Sequence, residues 1–123
     1  MAGPRQRDSV LAAVEVFRQA RQDASITNLL AFLYICENEG LNITELARLM
    51  GATNATASRT ATALEDEPGE TAALIRSTVG DRHGHSRVLY LTRHGEALRD
   101  RLDGIISRAS PIQIERDDNI AFV

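Results

Sequence analysis

The stretch that decides the fold runs from Asn42 to Glu65, "NITELARLMGATNATASRTATALE". Asn42-Ile43-Thr44-Glu45 opens it with capping-box spacing: a side-chain acceptor at Asn42 and a reciprocal glutamate three residues on. The helix that follows places Ile43, Leu46, Ala47 and Met50 on one face and stops at Gly51, which can take the left-handed conformation. Thr53 is then a second N-cap, opening a helix from Asn54 to about Glu65. That second helix is built from Thr, Ala, Ser and Asn, with Ala57, Ala61 and Leu64 as its inward side. Asn54, Thr56, Ser58, Arg59 and Thr62 are left on the exposed sides. A helix that buries so little is shaped to touch something else. Small and polar suits entry into a DNA major groove, which is ~12 Å wide. Ala47 and Gly51 sit where the two helices cross and where large side chains would clash.

On the N-terminal side, Arg7 to about Arg21 reads as an amphipathic helix. Val10, Leu11, Val14 and Phe17 form its stripe, while Arg18, Gln19, Arg21 and Gln22 face elsewhere. Ser25 caps a helix over Ile26–Cys36 that is apolar on nearly all sides and is therefore expected to be buried on several of them. Gly40 stops it.

Beyond Pro68-Gly69 the period changes to two. "ALIRSTV" and "RVLYLT" flank the loop "GDRHGHS", which predicts an antiparallel hairpin with a tip bearing arginine and histidine. Thr92 caps a last helix whose stripe is Leu98, Leu102, Ile105 and Ile106. Pro111 ends regular structure, so residues 1–110 read as one domain and 111–123 as an irregular acidic tail. The predicted class is mainly α with a small antiparallel β-hairpin, an α+β winged helix-turn-helix.

Composition bounds the partners. A chain of 123 residues with 43% apolar content supports one modest core. The single cysteine, Cys36, excludes an internal disulfide framework and suits a reducing cytoplasm. No apolar run reaches the ~18–20 residues that cross a bilayer, so no membrane partner is expected. The net charge of −3 is unevenly spread. Segments 51–64 and 71–95 hold five arginines against Asp81, a local +4, whereas the rest of the chain carries −7. A basic half mounted on an acidic half points to a polyanionic partner more than the total does.

In this order the elements resemble the MarR family of bacterial transcriptional regulators. The resemblance rests on "LNITELARLMGATNATASRTATALE", the wing, and "LTRHGEAL", and covers roughly Ile26 to Leu102. It implies a cytoplasmic homodimer with interlocked terminal helices and double-stranded DNA as partner. Recognition helices would lie in successive major grooves and wings in the flanking minor grooves. It further implies repression relieved by a small-molecule effector or by oxidation. The residues expected at DNA are Thr44, Thr53, Asn54, Thr56, Ser58 and Arg59 on the paired helices, with Arg82, His85 and Arg87 in the wing. Two features depart from the family. Its wings carry closely paired arginines, but here Arg82 and Arg87 are separated by four residues, His83-Gly84-His85-Ser86. Its C-terminal helical extension is also longer than Pro111 allows, which leaves the first and last helices as the dimer seam.

Other chemistries find little. His83, His85 and His94 lack a nearby cysteine or well-placed carboxylate, a weak metal-ligand set. Cys36 lies in the most apolar helix, where core filling competes with a redox-sensing role. No nucleophile elbow or P-loop appears, so neither an enzyme nor a cofactor is expected. The alternative is a winged-helix module for protein contact without DNA binding, favoured by the net negative charge and the altered wing.

Overall fold

The computed structural model describes residues 6–67, 71–79 and 87–107. Among these, the order is α1 (Gln6–Ala20), α2 (Ile26–Glu37), β1 (Leu41–Asn42), α3 (Ile43–Met50), α4 (Asn54–Glu65), β2 (Ile75–Val79), β3 (Arg87–Leu91) and α5 (Arg93–Ser107). The caps set the helix starts. Ser25 and Asn28 exchange bonds in a capping box at α2. At α3 the Asn42 Oδ1 accepts from the Glu45 N–H at 2.8 Å, and the Glu45 Oε1 accepts from the Asn42 N–H at 2.9 Å. Thr53 Oγ1 accepts from the Thr56 N–H at 3.1 Å to open α4, and Thr92 Oγ1 accepts from the Gly95 N–H at 3.0 Å to open α5.

The expected hairpin is part of a three-stranded antiparallel sheet, ordered β1-β3-β2. Leu41 pairs with Leu89 and Asn42 with Val88, so the N-cap residue of α3 also belongs to the sheet's third strand. Two residues are too few to show an alternating pattern. The Glu39 carboxylate also accepts from the Leu91 N–H at 2.8 Å, beyond the end of this short pairing. The core gathers Phe17, Phe32, Ile35, Leu46, Leu64, Ile75, Leu89, Leu98 and Leu102. Phe17 and Phe32 meet with ring centroids 5.6 Å apart. Ala57, Ala61 and Leu64 are the buried apolar residues of α4, as its composition predicts.

Three local expectations need correction. α2 is not covered on most sides: Ala31, Phe32 and Ile35 are buried, but Ile26 is 83% exposed and Leu30 and Leu33 are also outward. Gly51 does not relieve a clash, because a Cβ there would meet nothing within 4 Å; its φ of +64° is what demands glycine. The crossing between α3 and α4 instead depends on Ala47, which is buried. Arg21, expected on the outer face of the first helix, is only 6% exposed. The tail 111–123 lies outside the described residues.

Candidate nucleic-acid interface

α4 turns its Ala57–Ala61–Leu64 side, with Thr60, into the core, and leaves Asn54, Ala55, Arg59, Thr62 and Ala63 exposed. The two helix starts are joined there, since Asn54 Nδ2 donates to the Thr44 Oγ1 at 3.2 Å. One turn further on, Thr53 Oγ1 donates to the Thr56 Oγ1 at 3.1 Å, and Arg59 Nη2 donates to the same Thr56 oxygen at 3.3 Å. Thr44, Thr53, Asn54 and Arg59 are exposed, while Thr56 and Ser58 are half-buried. Thr44, Thr53, Asn54, Thr56 and Arg59 thus share one outward, hydrogen-bonded surface. Its donors and hydroxyls are of the kinds that meet phosphates and base edges. Thr60 is buried, and its hydroxyl donates back to the Thr56 carbonyl at 2.8 Å.

Arg87 is placed differently from its neighbours in the expected set. It begins β3, and its guanidinium folds onto α4. Nη1 donates to the Ser58 carbonyl at 3.4 Å, the Ser58 Oγ at 3.3 Å and the Thr62 Oγ1 at 3.3 Å. Nη2 pairs with the Glu65 carboxylate at 2.7 Å. Both Nη groups donate within the chain, tying the start of β3 to α4. Ser58 is drawn into the same tie. Arg82 and His85 lie outside the described residues, as does His83. His94 is exposed on α5, and no group of three metal-ligating side chains gathers among the described residues.

Two residues to which sequence reasoning gave no part in the site emerge as supports of this surface. Glu65 is the partner of Arg87. Arg21 reaches carbonyls 42 to 51 residues away in sequence, beyond any local pattern. Burial lowers the Arg21 pKa, with Asp66 and Glu67 acting in the opposite direction. Cys36 is half-buried, and desolvation pushes its thiol up to about 12, with Arg99 opposing. A sensor thiol requires the reverse shift. No described helix is long and apolar enough to cross a membrane.

Two helices joined by a tight left-handed turn, with a three-stranded sheet whose last two strands form a wing, define a winged helix-turn-helix protein. No protein-family model matches the chain, and no curated protein matches it. Solved structures do. A MarR family transcriptional regulator from Silicibacter pomeroyi superposes with a TM-score of 0.55 at 25% identity, over 80% of this chain and 64% of that one. The transcriptional repressor CouR, solved bound to a 23-mer DNA duplex, gives a TM-score of 0.58 at 22% identity, over 83% and 70% of the two chains. BpsR of Bordetella bronchiseptica, whose DNA binding is regulated by 6-hydroxynicotinic acid, gives 0.56 at 12% identity, over 83% and 75%. By fold, then, the chain is a MarR-like winged helix-turn-helix protein, as the order of its sequence elements predicts, and it spans 64% of the length of the first of these regulators. These counterparts are transcriptional regulators rather than enzymes.

Proposed function

We propose that the chain is a sequence-specific regulator of transcription that binds double-stranded DNA as a homodimer and acts as a repressor. The observation that carries this reading is the outer surface of α4. It is free of large apolar side chains, held in place by its own hydrogen bonds, and exposes Asn54 and Arg59. α4 enters the major groove with its N-terminal turn foremost, so Thr53 and Asn54 meet the backbone along with Thr44 from α3. Arg59 and Thr56 lie a turn deeper, toward base edges. Arg82 and His85 at the wing reach the minor groove or its phosphates. Arg87 and Ser58 act from behind, fixing the wing to α4. The DNA-bound state of CouR and the ligand control of BpsR support carrying both properties to this chain, with a small molecule as effector.

Dimerisation is supported by apolar surface on α1, where Val10 and Leu11 are more than 60% exposed. Two such subunits read a pseudo-palindromic site with half-sites ~34–36 Å apart.

A salt titration of binding to mixed genomic fragments tests the reading. Each phosphate neutralised contributes about −0.9 to the log–log slope on duplex DNA. A steep negative slope is expected. A slope near zero, or no binding at low salt, overturns it in favour of a winged-helix module for protein contact.

A further inference from the structure

We propose that Arg21 is a positioning residue that locks the C-terminal end of α4 to α1, so that the set of the recognition helix follows the set of α1. The proposal rests on α4 being the DNA-reading helix.

Arg21 directly follows α1, and its N–H still bonds to the Phe17 carbonyl at 2.9 Å, so its backbone is part of that helix's last turn. Its side chain points inward and donates to four backbone carbonyls. Nη1 reaches the Ala63 carbonyl at 3.3 Å. Nη2 reaches Leu64 at 3.0 Å, Ala72 at 3.2 Å, and Asp66. Ala63 and Leu64 belong to the last turn of α4, Asp66 is its C-cap, and Ala72 lies on the approach to β2. One guanidinium thus joins α1, the end of α4 and the lead-in to the wing. The Leu64 carbonyl also accepts from the Leu74 N–H at 3.0 Å, so the same carbonyl is shared with the lead-in to the sheet.

The physical chemistry favours a rigid link. The last carbonyls of a helix carry its partial negative charge, and a cation among them satisfies groups that have no intrahelical donor. Bonds from a charged donor are roughly twice as strong as neutral ones. A cation removed from water is tolerated only while its acceptors stay in place. A small displacement of α1 therefore strands both the guanidinium and the carbonyls, and the cheaper response is for α4 to follow. Phe17 of α1 and Leu64 of α4 share the apolar core, yet the packing beside the clamp leaves space. A cavity of about 490 Å³ bordered by Asp23, Asn28, Leu64 and Asp66 lies on one side of the clamp. Another of about 450 Å³, bordered by Ala20, Ala72, Leu74 and Leu98, lies close by. The backbone of α1 runs along α5 rather than along α4. Arg21 itself stays away from DNA, because it holds the end of a 12-residue helix opposite to Asn54, a separation of about 18 Å at 1.5 Å per residue.

The test compares the full-length chain with Arg21→Met and Arg21→Lys. The first removes the charge and keeps the apolar stem; the second keeps the charge but cannot fork across several carbonyls. Amide exchange is followed by peptide across α2, α3 and α4, and DNA affinity is titrated against salt well below each variant's melting temperature. For Arg21→Met, exchange at the end of α4 should rise about tenfold or more, with α2 and α3 unchanged. DNA affinity should fall by about 2- to 30-fold, with the salt slope unchanged because no phosphate contact is lost. Arg21→Lys should fall between the two. Wild-type exchange at the end of α4 in Arg21→Met, unchanged DNA affinity, or faster exchange spread evenly over α2, α3 and α4 overturns the proposal. If Arg21→Met does not fold, Arg21→Lys is judged by the same localisation and slope. If the wild-type chain does not bind DNA, the functional reading falls, while the exchange pattern alone still decides whether Arg21 locks α4 to α1.

Discussion

Arg59 and Arg87 are both arginines of the basic half of the chain, yet their surroundings assign them opposite work. Arg59 is exposed and makes one 3.3 Å bond, to the Thr56 hydroxyl, which it can leave without stranding a buried group. Arg87 has a side chain only 27% exposed, and its carboxylate partner is similarly enclosed. Replacing Arg59 with Ala should leave the melting temperature nearly unchanged, since surface substitutions stay within about 0.5 kcal/mol. It should weaken DNA binding in one of two distinguishable ways. A lost guanine contact costs ~1–3 kcal/mol of discrimination between sites, whereas a lost phosphate contact weakens all sites alike and lowers the salt slope by about one. Arg87→Gln should behave inversely, costing about 1 kcal/mol of stability through the part-buried bonds left unmade and leaving the salt slope where it was. Thermal melts and salt titrations on the two variants check this. A flatter salt slope for Arg87→Gln would mean that the guanidinium leaves Glu65 to meet DNA.

Among the elements, the helices were the most legible in the sequence, because capping residues and apolar period act locally and the caps at Asn42, Thr53 and Thr92 all form as read. What was not legible depends on partners distant in sequence. β1 exists because Leu41 and Asn42 meet β3, and Arg21 is buried because its acceptors arrive from Ala63 to Ala72. The exposed surface of α4 was readable from its small residues, but the withdrawal of Arg87 was not, since nothing near Arg87 in sequence announces Glu65. Two glycines separate local from distant causes. At Gly51 the backbone sits at φ +64° in open space, so alanine carries only the left-handed penalty of about 1–2 kcal/mol. At Gly95 an added Cβ would lie 2.0 Å from the Leu74 carbonyl oxygen, where α5 crosses the approach to β2. That carbonyl is held in place by the Thr92 N–H at 3.1 Å. Gly95→Ala must push the two elements apart and should cost more than ~3 kcal/mol. Melting temperatures order the pair: at about 4–8 °C per kcal/mol for a domain of this size, Gly95→Ala should fall well below Gly51→Ala. The reverse order would show that α5 can shift to admit a methyl group.

At the scale of the molecule, the apolar surface is distributed in a way that a lone chain does not explain. The stripe of α1 divides: Val16 and Phe17 enter the core, whereas Val10, Leu11 and Val14 face outward, with Ile106 of α5 also exposed. α2 adds Ile26, Leu30 and Leu33, spaced four and three apart along one outer line. Single exposed apolar residues are ordinary, but successive turns of a helix left bare are the mark of a surface that meets another. With the first and last helices as the seam, a charge placed at Leu11, which is 62% exposed, should cost the folded subunit almost nothing. The same charge would be buried without a partner in a dimer and should separate the subunits. Sedimentation of the wild-type chain should therefore give twice the subunit mass, and Leu11→Glu should give the subunit mass with an unchanged circular-dichroism spectrum. DNA affinity should then drop by about 10²- to 10⁴-fold, because the second half-site is no longer delivered at high effective concentration. The salt slope of the monomer should fall toward half, since each subunit contributes its own phosphate contacts. A Leu11→Glu chain that stays dimeric would move the seam to the bare line on α2. A wild-type chain that sediments as a monomer, yet binds the full site with a steep slope, would remove dimerisation from the mechanism altogether.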